Sequence, residues 1–205
     1  MRKPQSMKAL EELGRVRLSE GFFMRDFLYS EIAAFYRIPN IPDDPDLAIE
    51  VGKRFCAECL EPLRAKLGRI SIRSAYRASA VNDFGNKNKL NCGSNESNYA
   101  AHIWDRRDAE GRIGACATII VHSFIPYYER TGHWEALAWW VHDHLPYDDL
   151  EFFPKFAAFN FGWKDAPRGR IYSFIPPRRG VLTDHSKPNF AGEHSAEYAS
   201  WLSEL

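Results

Sequence analysis

The sequence lacks an apolar run that approaches the roughly 20 residues of a membrane-spanning helix. The basic stretch of residues 1–8 is followed by Glu11 and Glu12 instead of a continuous apolar segment, so we expect no secretory signal. These absences predict a cytoplasmic protein that contacts no membrane. Export of the kind used by phage proteins, which needs no such signal, stays open as an alternative.

An excess of charge of either sign is also missing, because 27 Lys and Arg residues balance 27 Asp and Glu residues. Nucleic acids attract strongly basic surfaces, so we expect no nucleic-acid partner. No internal repeat or low-complexity tract interrupts the chain. With 205 residues and 45% hydrophobic content, the chain can bury a sizeable core.

Cysteine is scarce, and the spacing of Cys56 and Cys59 could suit a redox dithiol or half of a zinc site. Both residues nevertheless continue an apolar stripe that recurs every fourth residue from Leu47 to Leu67. A free cysteine packs as a small apolar residue. We therefore predict buried thiols at these two positions, with no metal or redox role.

The pattern of apolar and helix-breaking residues predicts a coarse order of elements. Short helical elements over 22–37 precede a main helix that begins at Asp44, bends near Pro62 and ends at Gly68. A strand over 69–74 follows and leads into an Asn-rich loop over 82–98. The remaining expected elements are a hairpin of 102–107 with 113–121, a helix over 132–144 capped by Thr131, short strands over 149–153, 157–161 and 170–175, and a terminal helix over 193–205.

Several short motifs resemble the zinc D-alanyl-D-alanine carboxypeptidase family. They are Phe23-x-x-x-Phe27-Leu28-x-Ser30, Ile38-x-Asn40-x-Pro42, Leu60-x-Pro62-Leu63-Arg64, Leu67-Gly68, Ser74-x-Tyr76-Arg77-x-x-x-Val81-Asn82, and the later block Leu137-Ala138-x-Trp140 to Leu145-Pro146-Tyr147-Asp148. The resemblance implies an α+β fold of the hedgehog/DD-peptidase type, with a small central antiparallel sheet flanked by helices. It implies a domain over 20–183, an N-terminal extension over 1–19 and a tail with a short helix over 184–205.

The residues that bind zinc in that family have no counterparts here. The nearest match to its His-x-x-Gly-x-Ala-x-Asp segment runs from Gly111 to Thr118, and no histidine lies between His144 and His185 to act as the third ligand. The general base is replaced by phenylalanine, with Glu151 as a displaced candidate. A hydrolytic zinc needs about three protein ligands, so we expect a degenerate member without metal or cofactor.

The resemblance leaves the ligand-holding residues in place. In the family, the arginine that matches Arg77 holds the carboxylate of the substrate, a role that suits a planar and permanently charged guanidinium. The leading hypothesis is therefore a pseudoenzyme that binds a peptide or carboxylate ligand, a class that includes fragments of peptidoglycan. The expected ligand-binding residues are Tyr76, Arg77, Asn82 and Tyr172.

A hydrolase with a rebuilt site is the first alternative. His102 with Asp105 or Asp108, aided by His122, could bind one divalent metal or perform acid/base catalysis. His102 and Asp108 would point to the same side if their segment were a strand. His142 and His144 are less suited, because residues two apart on a helix point in nearly opposite directions.

The second alternative is a structural or interaction domain of a phage-type or other assembly, whose protein partner docks on the terminal helix. Its apolar stripe consists of Tyr198, Trp201, Leu202 and Leu205, although packing of this stripe against its own chain is the simpler expectation.

Four arginines around Tyr172 could also face an anionic ligand or form a solvated rim; they are Arg168, Arg170, Arg178 and Arg179.

Overall fold

The computed structural model describes all residues from Met1 to Leu205 and shows an α+β protein. Its α-helices are α1 Met7–Gly14, α2 Glu31–Tyr36, α3 Pro45–Phe55, α4 Glu61–Leu67, α5 Ser79–Lys87, α6 Asn95–Asn98, α7 Ile125–Thr131, α8 Glu135–His144 and α9 Ser195–Leu202. Its strands are β1 Ile70–Ser74, β2 Gly114–Val121, β3 Asp149–Phe152, β4 Phe159–Lys164, β5 Arg170–Ser173 and β6 Gly180–Thr183. No helix combines the length and the apolar character that crossing a bilayer requires.

The chain divides into two compact units. The first comprises residues 1–57 and 74–117, and the second comprises residues 58–73 and 118–205. The predicted boundaries at residues 20 and 183 mark the segment that resembles a known family, whereas the two units are defined by their internal packing. The sequence-based domain boundaries therefore stay a prediction.

The main helix begins and ends as its sequence predicts. The Asp44 carboxylate accepts a hydrogen bond from the Leu47 amide, and Pro45 occupies the first turn of α3. Between α3 and α4 the chain forms a π-helical turn, Cys56–Leu60, just before Pro62. Proline lacks an amide hydrogen and its ring crowds the carbonyl four residues earlier, which explains the wider turn. Gly68 then ends α4 with a positive φ of 77°.

The core of the first unit surrounds Trp104. The rings of Phe27, Phe55 and Tyr76 lie 5.1, 6.0 and 6.2 Å from it, centroid to centroid. All four side chains are buried. Aromatic pairs at these separations add to the stabilisation that burial of their area provides.

The predicted helical segment over 22–37 is confirmed as a 3₁₀-helix, Met24–Phe27, followed by α2.

The six strands form one sheet in the order β1-β2-β4-β3-β5-β6. The expectation of an antiparallel sheet is wrong, because β3 pairs in parallel with β5 and antiparallel with β4. The parallel pairing aligns Asp149 with Arg170, whose guanidinium donates to that carboxylate at 2.6 Å. The ion pair thus joins β3 to β5, two strands that a simple meander would not place side by side.

The second unit has its own aromatic core, as the dense aromatic run after Pro146 indicates. Phe152 stacks on Phe159 at 4.9 Å and contacts Trp134 at 5.0 Å. The helix α9 packs on α8, and Trp201 meets Phe124 edge-on at 4.7 Å. The expected self-packing of the terminal stripe is confirmed for Tyr198 and Trp201, which are buried, whereas Leu205 is exposed.

Several sequence-based assignments need correction. Residues 102–107 form turns and not the first strand of a hairpin, because buried His102, Trp104 and Asp105 are all held by tertiary contacts. The Asn-rich segment contains α5 and α6 instead of one long loop. Thr131 ends α7 and does not cap the next helix, and β6 was not anticipated.

Candidate functional site

The backbone around Arg77 is held rigidly at the start of α5. The Asn40 side chain donates to the Tyr76 carbonyl at 3.0 Å and accepts from the Ala78 amide at 2.7 Å. The Arg77 amide donates to the His102 carbonyl at 2.8 Å. Hydrogen bonds thus hold the backbone on both sides of Arg77. Ala78, the residue before α5, has no side-chain group that could cap the first turn of the helix.

The Arg77 guanidinium is half-buried and lacks a carboxylate partner. Its Nη1 donates to the Cys92 Sγ at 2.8 Å, and its buried Nε has no hydrogen-bond acceptor. In an arginine, Nε and Nη2 form the edge that faces away from Nη1. The edge suited to a bidentate carboxylate is therefore free in this structure.

The segment after α5 is folded back against the helix. Asn82 donates to the Gly93 carbonyl at 3.1 Å and to the Asn95 side chain at 2.9 Å, and Asn86 donates to the Cys92 carbonyl at 2.8 Å. A Cβ on Gly85 would lie 2.5 Å from the Cys92 sulfur, so only glycine permits this approach. The Asn-rich segment is consequently built onto α5, and it places Cys92 beside Arg77.

Two more polar atoms near the start of α5 lack partners. The Ser79 hydroxyl and the Asn82 Oδ1 are both buried without a hydrogen bond. Residues three apart on a helix lie on the same face, so these two groups share one side of the first turn. Buried polar atoms are rarely left unsatisfied in proteins, which marks this turn as a binding site candidate.

The positive charge at the site comes from arginine and not from histidine. His102 is buried, and its Nδ1 donates to the Ala75 carbonyl at 2.7 Å. Burial and the nearby Arg77 charge lower the pKa of His102 to about 3. His102 is therefore neutral at physiological pH.

The other residues expected near the site have structural partners. Tyr76 is fully buried, and its hydroxyl donates to Asp105 at 3.1 Å; burial raises the pKa of this phenol. Asp105 also accepts the amides of Asp43 and Asp44, and so anchors the start of α3. Asp108 accepts from the Arg112 amide and guanidinium within a surface turn.

The residues expected to cooperate are therefore not brought together as one metal-binding or catalytic group. His102, Asp105 and Asp108 do not form a cluster of close donor atoms. His122 lies in the second unit, where its ring is hydrogen-bonded to Ser71 at 2.7 Å. Tyr172 also lies in the second unit, with its ring 4.8 Å from that of Phe174.

Most of the arginines expected near Tyr172 are neutralised by carboxylates. Arg168 pairs with Asp148, and Arg170 pairs with Asp149. Arg178 pairs with Glu135. Glu151, the displaced candidate base, accepts from Asn160 at 3.0 Å. These contacts support a structural role for this edge of the sheet. Arg77 differs from these arginines because no carboxylate pairs with its guanidinium.

An apolar groove of about 730 Å³ lies in the first unit, and Asn40 is part of its wall. The other lining residues are Met7, Leu10, Glu11, Gly14, Arg25, Leu28, Pro39 and Ile41. Its volume is in the range of sites for small organic ligands. Asn40 thus connects the wall of the groove to the backbone on either side of Arg77.

One cluster of side chains in the second unit was not expected from the sequence. The donor atoms of His142, Asp143 and His194 lie within 4.8 Å of one another. The last of these residues is 51 positions from Asp143, so no local spacing links it to the other two. The expectation that His142 and His144 do not converge is confirmed, because His144 stacks on Trp140 instead.

No protein-family model, curated protein or solved structure matches the chain.

Proposed function

We propose that this chain is a binding module whose first unit holds the carboxylate of a peptide through Arg77. The observation that carries the proposal is the half-buried guanidinium, which has no carboxylate partner and a buried Nε without an acceptor. An unsatisfied buried donor costs about 1–3 kcal/mol, and more when the group is charged. A bound carboxylate removes this cost by accepting from the Nε–Nη2 edge.

The start of α5 supports the same ligand. Its first turn has no side-chain cap, so its amide groups and the positive end of the helix dipole favour an anion. The buried Ser79 hydroxyl can donate a further hydrogen bond. Arg77, Ser79 and the helix terminus are thus three kinds of donor within a few residues of each other.

Asn82 favours a peptide over a simple organic acid. Its Nδ2 is used by two protein acceptors, which leaves the buried Oδ1 to accept from a ligand. A peptide that ends in a free carboxylate also carries an amide N–H close to that group. The resemblance of the surrounding motifs to D-alanyl-D-alanine carboxypeptidases supports the same class, which includes fragments of peptidoglycan.

The geometry favours binding over the hydrolase alternative. His102, Asp105 and Asp108 each serve the local fold, and no metal-binding cluster includes any of them. Tyr76 and Tyr172 are left out of the proposed site, because the first is committed to Asp105 and the second lies in the other unit. The proposal is therefore a degenerate DD-peptidase-like domain that retains ligand binding without zinc chemistry at the family's positions.

The test compares two ligands that differ only in charge at the C-terminus. Isothermal titration calorimetry with N-acetyl-D-alanyl-D-alanine and its C-terminal amide should show binding of the acid alone. Arg77→Gln should weaken binding by about tenfold to a hundredfold, the value of hydrogen bonds to a charged group. Arg73→Gln removes an exposed arginine nearby in sequence and should leave the affinity unchanged. Equal binding of acid and amide, or equal losses in the two variants, would refute the proposal.

A further inference from the structure

The C-terminal turn of α8 and the segment before α9 meet in a small cluster of metal-ligand side chains. Asp143 Oδ1 lies 2.7 Å from His194 Nδ1, and the rings of His142 and His194 are 5.1 Å apart. All three side chains are partly buried. None of them occupies a position that the carboxypeptidase resemblance assigns to zinc.

The hydrogen bonds of the two rings define which nitrogens are free to bind a cation. His142 Nε2 donates to the Phe190 carbonyl at 2.9 Å, and His194 Nε2 donates to the Asn189 carbonyl at 3.0 Å. A carbonyl oxygen can only accept, so both Nε2 atoms carry hydrogen. Each neutral ring consequently has its lone pair on Nδ1. Metal-bound histidines are commonly oriented by this kind of bond to a carbonyl.

The short contact between His194 Nδ1 and Asp143 Oδ1 needs a hydrogen or a metal ion between the two atoms. A lone pair on Nδ1 and a carboxylate oxygen repel each other at 2.7 Å unless a cation is shared between them. That cation is either a proton on Nδ1 or a metal ion that displaces it. One ring nitrogen of His142 lies within 4.8 Å of the other two donor atoms. Of its two nitrogens, Nδ1 is the one with a lone pair, because it accepts from the Tyr147 hydroxyl at 2.5 Å.

Neighbouring side chains hold the donors in place. Trp139 stacks on the His194 ring at 3.9 Å with an interplanar angle of 9°. The Tyr198 hydroxyl donates to the second oxygen of Asp143 at 3.0 Å. Hydrogen bonds of this type orient ligating carboxylates. The cluster therefore has both donors and the supporting contacts that position them.

We propose that His142, Asp143 and His194 bind one divalent transition metal of the zinc type through two Nδ1 atoms and one carboxylate oxygen. Imidazole ligands select such ions over magnesium or calcium. Three protein ligands leave a fourth tetrahedral position for water. The metal joins α8 to the segment before α9, and so fastens the C-terminal residues of the second unit.

The experiment uses the full-length protein after chelation and dialysis. Calorimetric titration with zinc chloride should give about one site per chain, and cobalt should produce visible d–d absorption of a low-coordinate site. His194→Gln and Asp143→Asn should each weaken zinc binding at least about tenfold. His144→Gln is the matched control, because this histidine lies on the same helix but bonds to the Trp140 carbonyl.

Two results would overturn the proposal. One is the absence of zinc binding by the wild-type protein at about millimolar zinc, and the other is unchanged affinity in both cluster variants. Circular dichroism checks that the variants fold. If His194→Gln unfolds, the nearly isosteric Asp143→Asn decides alone, since it keeps the shape of the side chain and removes its charge.

Discussion

At the scale of single residues, His102 and Arg77 illustrate how burial assigns charge. Both lie near the start of α5, yet only the arginine side chain is a permanently charged group. His102 sits in a buried position next to that charge and stays neutral. The positive charge of the site therefore comes from the Arg77 guanidinium and not from His102.

His102 should make the folded protein sensitive to acid. The unfolded chain binds a proton at this residue as the pH falls through about 6.5, whereas the folded chain resists protonation until the pH approaches the folded pKa of about 3. Stability is therefore present above that window and lost within it. At about pH 4.5 the loss from this residue is roughly 2–3 kcal/mol relative to neutral pH.

Urea denaturation at both pH values measures this effect. The variant His102→Asn can keep the hydrogen bond to the Ala75 carbonyl but cannot titrate. Between neutral pH and about pH 4.5, its free energy of unfolding should therefore fall by roughly 2–3 kcal/mol less than that of the wild type. The same acid-induced loss in the variant and in the wild type would contradict a buried, neutral His102.

Residue roles were the hardest feature to infer from the sequence. The motif around Arg77 singled out a guanidinium whose buried Nε has no acceptor in the structure. Nothing in the sequence shows that Tyr76 and Asp105 are hydrogen-bonded to each other. Such pairings depend on contacts across 29 positions, which composition and periodicity do not encode.

At the scale of elements, α5 and the segment that follows it act as one structural piece. Gly85 allows Cys92 to approach the helix, and Asn86 holds the Cys92 carbonyl. Cys92 in turn contacts the Arg77 guanidinium. A glycine in the middle of a helix costs stability, so its presence here indicates that close packing outweighs helix propensity.

Gly85→Ala should therefore destabilise the protein. The added Cβ would lie 2.5 Å from the Cys92 sulfur and 3.0 Å from Ile32. Overpacking of this kind lowers the free energy of unfolding by about 1–3 kcal/mol. The higher helix propensity of alanine offsets up to about 1 kcal/mol of this loss. Urea denaturation measures the difference. In the Cys92→Ala background the sulfur is gone, and the same substitution should cost less than half as much; an equal cost in both backgrounds would contradict this packing.

The terminal helix α9 belongs to its own unit. Tyr198 and Trp201 are buried, and Trp201 packs against Phe124. Trp201→Ala should destabilise the protein by about 3–5 kcal/mol, as expected for removal of a buried tryptophan side chain. The matched change Leu205→Ala, at an exposed position of the same terminal segment, should have little effect. Thermal denaturation distinguishes these outcomes, and similar losses in the two variants would argue against burial of Trp201.

Local signals defined the main helix correctly, whereas the pairing of distant strands could not be inferred. The cap at Asp44 and the glycine at position 68 define the main helix within a few residues. The parallel pairing joins β3 to β5, which β4 separates in sequence, and its register includes the ion pair between Asp149 and Arg170. The turns over 102–107 likewise arise because tertiary contacts override an alternating pattern.

At the scale of the whole molecule, the α+β class follows from the sequence, but the fold family does not. The alternation of helical and strand patterns predicts the mixture of elements that the structure contains. A hedgehog/DD-peptidase fold remains a proposal, because the resemblance concerns short motifs. The two compact units divide the chain in a way that no composition shift marks.

The balanced net charge also bears on function at this scale. Because 27 basic residues offset 27 acidic ones, no global field attracts an anionic ligand. The proposed specificity must then come from the local donors at the start of α5. Among these donors, the Nε–H group of Arg77 is buried and has no acceptor in the protein.

The most direct measurement is the NMR resonance of the Arg77 Nε–H group, assigned with Arg77→Lys, during addition of N-acetyl-D-alanyl-D-alanine. We expect this resonance to shift and its exchange with water to slow, because the buried Nε gains a carboxylate acceptor. The C-terminal amide of the same dipeptide should leave it unchanged. An unaltered Nε–H resonance at a dipeptide concentration that saturates other shifts would contradict carboxylate binding by Arg77.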